Sequence, residues 1–179
     1  MLEFSGDVVI KGYFQYLPTI ETAVPIILKD LTQALTPYRE SLRKKYSLTE
    51  LSHLGFMHIR RGDYLKAPHG LHWVQEEEYY SHAIPHIPNV SRWFVLSDDI
   101  EWCKAQPLFA SCEIIDEPDE LYGLALMSLC HGGAIIGNST FSWWGAMMGA
   151  APAQAPVVYP SKWLQDARPS LFPESWIRL

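Results

Sequence analysis

Short, mostly apolar runs alternate with helical segments along this chain of 179 residues. Uninterrupted apolar runs of strand length are typical of parallel strands that are covered on both faces. Such runs occupy residues 8–10, 54–59, 93–96, 113–115, 134–136 and 157–159. Helices are predicted over 21–46, broken by Pro25 and Pro37, and over 75–84, 99–105, 119–131 and 141–149. This alternation predicts an α/β fold with an open, mostly parallel sheet and helices on both faces.

Composition excludes several classes of protein. Fourteen Lys and Arg against twenty Asp and Glu give a net charge of −6, which argues against a nucleic-acid partner. Hydrophobic residues at 48% and charged residues at 19% exclude an intrinsically disordered chain. Cys103, Cys112 and Cys130 show no Cys-x-x-Cys spacing, so we interpret them as buried free thiols.

The first residues carry neither the basic nor the apolar region of a secretory signal, and no run approaches 18 apolar residues. The expected location is therefore the cytoplasm. Peripheral attachment to the cytoplasmic face of a membrane stays open as an alternative. The sequence makes no prediction about the oligomeric state.

Two adjacent arginines follow the run at 54–59. Ligands of open α/β sheets bind beyond the carboxyl ends of the strands, and a guanidinium suits a phosphate. Because neighbouring side chains of a strand point to opposite faces, only one of Arg60 and Arg61 is expected to reach a ligand. The other is expected to pair with Asp63, Asp98 or Asp99. The alternative is a salt-bridge cluster that occupies both arginines.

A small polar turn, Asn138-Ser139-Thr140, joins the run at 134–136 to the next predicted helix. Backbone amides and hydroxyls at a helix start form an anion site, although ordinary capping by Asn138 or Ser139 is the alternative. The spacing of a P-loop is absent, so magnesium-dependent ATP hydrolysis is not indicated. Arginine on one side and hydroxyls on the other predict a clamp for a diphosphate.

Three segments together resemble the α-1,2-fucosyltransferase family, glycosyltransferase family 11. They are His58-Ile59-Arg60-Arg61-Gly62-Asp63-Tyr64, Leu96-Ser97-Asp98-Asp99-Ile100-Glu101-Trp102 and Asn138-Ser139-Thr140-Phe141-Ser142-Trp143-Trp144-Gly145-Ala146. Gly12-Tyr13-Phe14-Gln15 and Pro173-Glu174-Ser175-Trp176 are similar to the family as well. The resemblance implies the nucleotide-sugar-binding half of a GT-B fold. It also implies GDP-fucose as donor substrate, a galactose-containing glycan as acceptor, inversion at the fucose carbon, and no cofactor or metal.

The resemblance assigns roles to single residues. Arg60 would hold the β-phosphate of the donor and His58 would lie near the nucleotide. The donor-binding set would also contain Arg61, Asn138, Ser139, Thr140 and Ser142. Asp98 and Asp99 would brace the site.

Inverting transfer needs a base that takes the proton of the acceptor hydroxyl. His69, in the loop Pro68-His69-Gly70, is one candidate. Asp63 is its competitor, although a carboxylate beside an arginine is more often a brace. Arg60 would supply positive charge for the leaving group. His69 and His72 have no third ligand in the sequence, so no metal site is predicted.

Two departures from the family pattern limit what the resemblance implies. The Gly-Gly-Leu-Gly-Asn-Gln-type stretch of the N-terminal half is missing, which indicates a truncated product, a fragment or a compact variant. We therefore divide the chain into 1–50, a remnant of or link to that half, and 51–179, a GDP-sugar-binding domain. Gly123 stands where many relatives carry an acidic residue that reads guanine, with Asp119 or Glu120 as its substitute. An inactive donor-binding remnant and a transferase for another sugar nucleotide are the alternative functions.

Overall fold

A single parallel sheet of six strands forms the centre of the computed structural model, which describes residues 18, 21–66, 72–164 and 171–179. The strands lie in the order β3-β2-β1-β4-β5-β6, and all five pairings are parallel. Their bounds are Leu54–Ile59 (β1), Arg92–Ser97 (β2), Glu113–Ile115 (β3), Gly133–Ile135 (β4), Val157–Tyr159 (β5) and Ile177–Arg178 (β6). The predicted α/β class with an open parallel sheet is confirmed, and the architecture is that of a GT-B half. The run at 8–10 lies outside the described residues.

Six α-helices accompany the strands. Their bounds are Val24–Ala34 (α1), Thr36–Lys45 (α2), Glu77–Ala83 (α3), Ile100–Ala105 (α4), Glu120–Leu129 (α5) and Thr140–Met148 (α6). Short 3₁₀ turns lie at Leu51–His53, Tyr64–Lys66, Ile84–His86 and Pro107–Phe109. Pro25 and Pro37 each lie in the first turn of a helix, where the missing N–H bonds no carbonyl. Pro25 therefore starts α1 and does not break a helix, whereas Pro37 starts α2 after the interruption at Leu35.

The core lies on both faces of the sheet because successive strand residues point in opposite directions. Phe56 packs in one apolar cluster with Leu126 and Trp143 from the helices. Its neighbour Met57 packs in the other, with Tyr80 among its members. Burial on both faces explains why the strands read as continuous apolar runs.

The segment before β1 shares this core. Leu35, Leu42 and Leu48 are buried in the same cluster as Phe94 of β2. The helices α1 and α2 pack against the helices that cover the sheet. The division of the chain at residue 50 stays a prediction.

Two further predictions concern the cysteines and the membrane. Cys103 and Cys130 are buried free thiols, as predicted, whereas Cys112 is half-buried and also free. None of the described helices has the length and apolar character needed to cross a membrane.

Candidate active site

A cavity of about 690 Å³ opens at the carboxyl ends of β1 to β4. Three parts of its wall differ in chemistry. Arg60 lies near the middle, after β1, and the start of α6 lies beside it. Glu117, Asp119 and Glu120 form an acidic part after β3. An aromatic part is formed by the side chains of Tyr64, His72 and Trp163.

Arg60 is held by two carboxylates. Its Nε lies 2.9 Å from Oδ1 of Asp63 and 3.1 Å from Oδ2 of Asp98. Burial acts to lower the pKa of Arg60, but the hydrogen bond to Asp63 and the charge of Asp98 outweigh it and raise the pKa. Since 36% of the side chain remains exposed in the cavity wall, Arg60 offers a fixed positive charge to a ligand.

Arg61 faces the other way. Its Nη1 lies 3.0 Å from Oε2 of Glu76, its Nε lies 3.3 Å from Oδ2 of Asp99, and its guanidinium lies 4.0 Å from the ring centre of Trp102. Only 7% of Arg61 is exposed, and it does not line the cavity. The structure thus separates the two arginines as strand alternation predicts. It corrects the placement of Arg61 in the donor-binding set, because this guanidinium packs on the opposite face.

Asp98 contacts both arginines, and Asp99 contacts Arg61. Oδ1 of Asp98 accepts the backbone N–H of Arg61 at 2.8 Å, while Oδ2 pairs with Arg60. Oδ1 of Asp99 accepts the N–H of Trp102 at 3.2 Å and caps α4. A Cβ at Gly62 would lie 2.8 Å from Oδ2 of Asp98, so glycine permits this close approach. These contacts are those that a brace requires.

Asn138 ties three loops together at the cavity. Its buried Nδ2 donates to the carbonyls of Trp73 at 2.8 Å and Trp163 at 3.0 Å. Its own carbonyl accepts the hydroxyl of Tyr64 at 2.9 Å. Both amide donors are therefore already bonded, although Asn138 lines the cavity.

Ser139 and Thr140 differ from Ser142 in what their hydroxyls can reach. Ser139 stands at the N-cap of α6 without a capping bond from its side chain, and both Ser139 and Thr140 line the cavity. The free N–H groups of the first helical turn lie at the same place. Ser142 is fully buried, and its hydroxyl donates to the carbonyl of Ser139 at 3.0 Å. The structure does not bring Ser142 to the cavity, which corrects its expected contact with a diphosphate.

His58 lies on the same side of β1 as Arg60. It is 6% exposed, its Nδ1 has no partner among the described residues, and its ring lies 5.5 Å from that of Phe141. Burial lowers the pKa of His58 to about 4. The ring is therefore neutral near pH 7 and presents hydrogen-bonding nitrogens without charge.

The cavity wall also contains apolar residues that the sequence did not indicate as a unit. They are Leu96, Ile115 and Phe141, with Gly123 among them. A Cβ at Gly123 would lie 3.4 Å from Cδ2 of Leu96, an ordinary contact, so packing does not require glycine there. Glu117 was missed from the sequence, although its position just after β3 follows the strand-end rule used for the other residues.

The aromatic part was also missed. The rings of Tyr64 and His72 stack at 4.1 Å between centroids and 7° between planes. His72 forms an isolated antiparallel bridge with Leu164, which holds the stack against the segment after β5. This arrangement joins loops far apart in sequence, so no local pattern could have revealed it. His69 lies outside the described residues.

The parts of the chain that the structure describes contain no group of three or more His, Cys, Asp or Glu side chains arranged to hold a metal ion.

Comparison with known proteins adds to this geometry. A sequence model named glycosyl transferase family 11 matches residues 14–177. The chain belongs to glycosyltransferase family 11. The family expected from the motifs is confirmed.

Two relatives from Escherichia coli are similar to this family 11 chain. The "O-antigen biosynthesis glycosyltransferase WbnK" is 36% identical over 99% of this chain and 63% of its own length. The "Alpha-1,2-colitosyltransferase" is 34% identical over 69% of this chain and 46% of its own length. The chain thus spans less than two thirds of both relatives. No solved structure matches it.

Proposed function

We propose that this protein transfers L-fucose from GDP-fucose to a hydroxyl of a galactose-containing glycan, with inversion at the fucose carbon and without a metal ion. One observation carries the proposal. A single cavity joins Arg60, whose charge two carboxylates fix, to the hydroxyls and free amides that begin α6. In this proposal residues 51–179 bind the donor.

The diphosphate would lie between Arg60 and the start of α6. Ser139 and Thr140 would donate hydrogen bonds to its oxygens, since both line the cavity and neither hydroxyl has a partner among the described residues. Arg60 would then face the negative charge that develops on the leaving β-phosphate. Such charge-assisted bonds are shorter and stronger than neutral ones.

The acidic part favours guanine as the base. Guanine carries an N–H and an amino group side by side on one edge, and a carboxylate can accept from both. Oδ1 of Asp119 accepts the N–H of Leu121 at 2.9 Å and caps α5. Oε1 of Glu117 accepts the N–H of Asp119 only at 3.4 Å, so Glu117 and Glu120 keep more of their capacity to accept from a base. In this proposal Glu117 and Glu120 take over the role of the acidic residue that many relatives carry at the position of Gly123.

A second candidate function is transfer of another sugar from its nucleotide. The name of one relative gives colitose as the transferred sugar, and that relative is 34% identical to this chain. The same clamp would serve either donor, because Arg60 and α6 address the diphosphate and not the sugar.

Calorimetric titration tests both candidates. GDP-fucose, GDP-mannose and a UDP-sugar are titrated in the presence of EDTA, and transfer to a panel of galactosides is then measured. We expect GDP-linked sugars to bind, GDP-fucose to be the best donor, and EDTA to change neither binding nor turnover. Turnover that is lost in EDTA and restored by magnesium or manganese contradicts the metal-free clamp. Binding without any turnover identifies an inactive remnant.

A further inference from the structure

The proposed reaction needs a group that accepts a proton, and the cavity offers few. Inverting transfer is fastest when a side chain takes the hydroxyl proton of the acceptor near the operating pH. Among the described residues that line the cavity, the titratable side chains near Arg60 are His58, Asp63, Asp98 and Tyr64, and with them His72. Glu117, Asp119 and Glu120 belong to the acidic part after β3. The hydrogen-bond partners and the burial of the groups near Arg60 decide which of them can accept a proton.

Two of them are unsuited to this task. His58 is almost completely buried, and burial lowers its pKa to about 4, so it is a weak base at neutral pH. Tyr64 donates its hydroxyl to the carbonyl of Asn138 at 2.9 Å, and burial raises the pKa of Tyr64. Its phenol therefore stays protonated.

The carboxylates beside Arg60 are engaged as well. Asp63 and Asp98 lie 2.9 and 3.1 Å from its Nε. Burial acts to raise the pKa of Asp63, but the hydrogen bond and charge of Arg60 outweigh it and lower the pKa. A proton taken by Asp63 would weaken the ion pair that holds Arg60, the residue that faces the donor.

His72 differs from all four. Its ring is fixed by the stack on Tyr64 and by the bridge to Leu164. Nδ1 is the buried nitrogen and has no partner among the described residues, so Nε2 is left to face the cavity that His72 lines. Asp63 lies close enough for a charge on His72 to lower the pKa of its carboxyl.

We infer that His72 is the catalytic base of the proposed transfer, a role that rests on the proposed function. The acceptor oxygen bonds to C1 of the sugar while the bond between C1 and the β-phosphate oxygen breaks. The leaving diphosphate keeps that electron pair, and Nε2 of His72 takes the hydroxyl proton. Nδ1 carries the ring proton in the neutral form that this step requires.

The test compares His72→Gln with the wild type. Glutamine keeps a planar polar side chain but cannot act as the base. We expect kcat for transfer to fall about 100-fold or more, the range of general base catalysis, while the Kd for GDP-fucose changes less than threefold. The pH profile of kcat/KM is recorded for both proteins, and a decline toward low pH that the wild type shows should be absent in the variant. Among the described residues, Tyr64 stacks on His72 and the charge of Asp63 interacts with it, so the profile is also recorded for Asp63→Asn.

Controls separate this role from folding and from the rival residues. His82 is exposed on α3, away from the cavity, and His82→Gln should retain full turnover. If His72→Gln does not fold, His72→Ala is assayed with added imidazole, and turnover that imidazole does not restore overturns the inference.

The remaining outcomes are equally decisive. A loss below tenfold in His72→Gln, or a loss in His69→Gln as large as that of His72→Gln, overturns His72 and leaves the transferase intact. A weakening of GDP-fucose affinity that accounts for the whole loss also overturns it. A wild-type protein without turnover overturns both proposals.

Discussion

Arg60 and Arg61 are neighbours in sequence, yet their side chains have different surroundings. Arg60 lines a cavity and keeps 36% of its side chain exposed, although two carboxylates hold it. The Arg61 side chain is 9% exposed and packs between Glu76, Asp99 and the ring of Trp102. The difference teaches that a motif with two arginines supplies one side chain to the cavity wall and one internal support, because the strand directs them to opposite faces.

The largest expected effect is a loss of stability on substitution of Arg61, the buried arginine of this pair. Arg61→Ala leaves Asp99 without its cation and removes the packing on Trp102, so we expect the free energy of unfolding to fall by about 3 kcal/mol. Affinity of the folded fraction for GDP should change less than about threefold, well under 1 kcal/mol. Urea unfolding and calorimetry measure the two quantities. An unchanged stability together with lost GDP affinity would move Arg61 into the site.

The next prediction concerns His58, on the Arg60 side of β1. Its pKa is about 4 in the folded protein against 6.5 as the usual value, so the unfolded chain binds more protons between these pH values. Stability from His58 is complete above pH 6.5 and decreases by about 1.4 kcal/mol per pH unit as pH falls toward 4. Unfolding curves of wild type and His58→Leu, taken from pH 7 to 4, give the slope. Equal slopes in both proteins would show that His58 is not held neutral.

Arg60→Lys tests the exposed side of the comparison. Lysine keeps the charge but loses the planar fork, so GDP should bind more weakly by about 1.5–3 kcal/mol. Stability should change by less than about 1 kcal/mol, because the carboxylates keep a cation and are partly solvated. Calorimetry with GDP and thermal unfolding measure both. Unchanged GDP affinity in a folded variant removes Arg60 from the site.

The smallest effect is expected at the start of α6, which lines the same cavity as Arg60. Ser139→Ala and Thr140→Ala should each weaken GDP by about 1 kcal/mol, the net value of one hydrogen bond, and leave guanosine unaffected. Guanosine is the matched control because it lacks the anion. If the turn only caps the helix, one variant loses about 1 kcal/mol of stability and neither loses GDP affinity. Equal losses for GDP and guanosine mean that the loop is misassigned.

The sequence predicted secondary structure best where the residues next to each other along the chain decide it. Five of the six strands have their apolar runs in the sequence, although β2 and β4 each begin one residue earlier than the predicted run. β6 was missed because it is two residues long, Ile177 and Arg178, and has no periodicity to detect. Its strand character comes from pairing with β5.

Within the site, the sequence identified the strand-end residues but not what each one contacts. Ser142 belongs to the motif after β4, yet its position in α6 turns its hydroxyl toward the carbonyl of Ser139. Asn138 was expected to meet the donor, and its amide instead holds the carbonyls of Trp73 and Trp163. Such contacts depend on loops brought together by folding, so they have no local signature.

The sequence by itself determined the alternation of strands and helices, the strand ends that carry polar residues, and the division of Arg60 from Arg61. These features follow from backbone periodicity, which acts over a few residues. Only the tertiary structure decided which strand ends share the cavity, that Glu117 joins the wall, and that Tyr64 stacks on His72. The physical reason is that parallel strands are joined through crossovers, so the order β3-β2-β1-β4 and the loops it brings together are set by packing across the whole sheet.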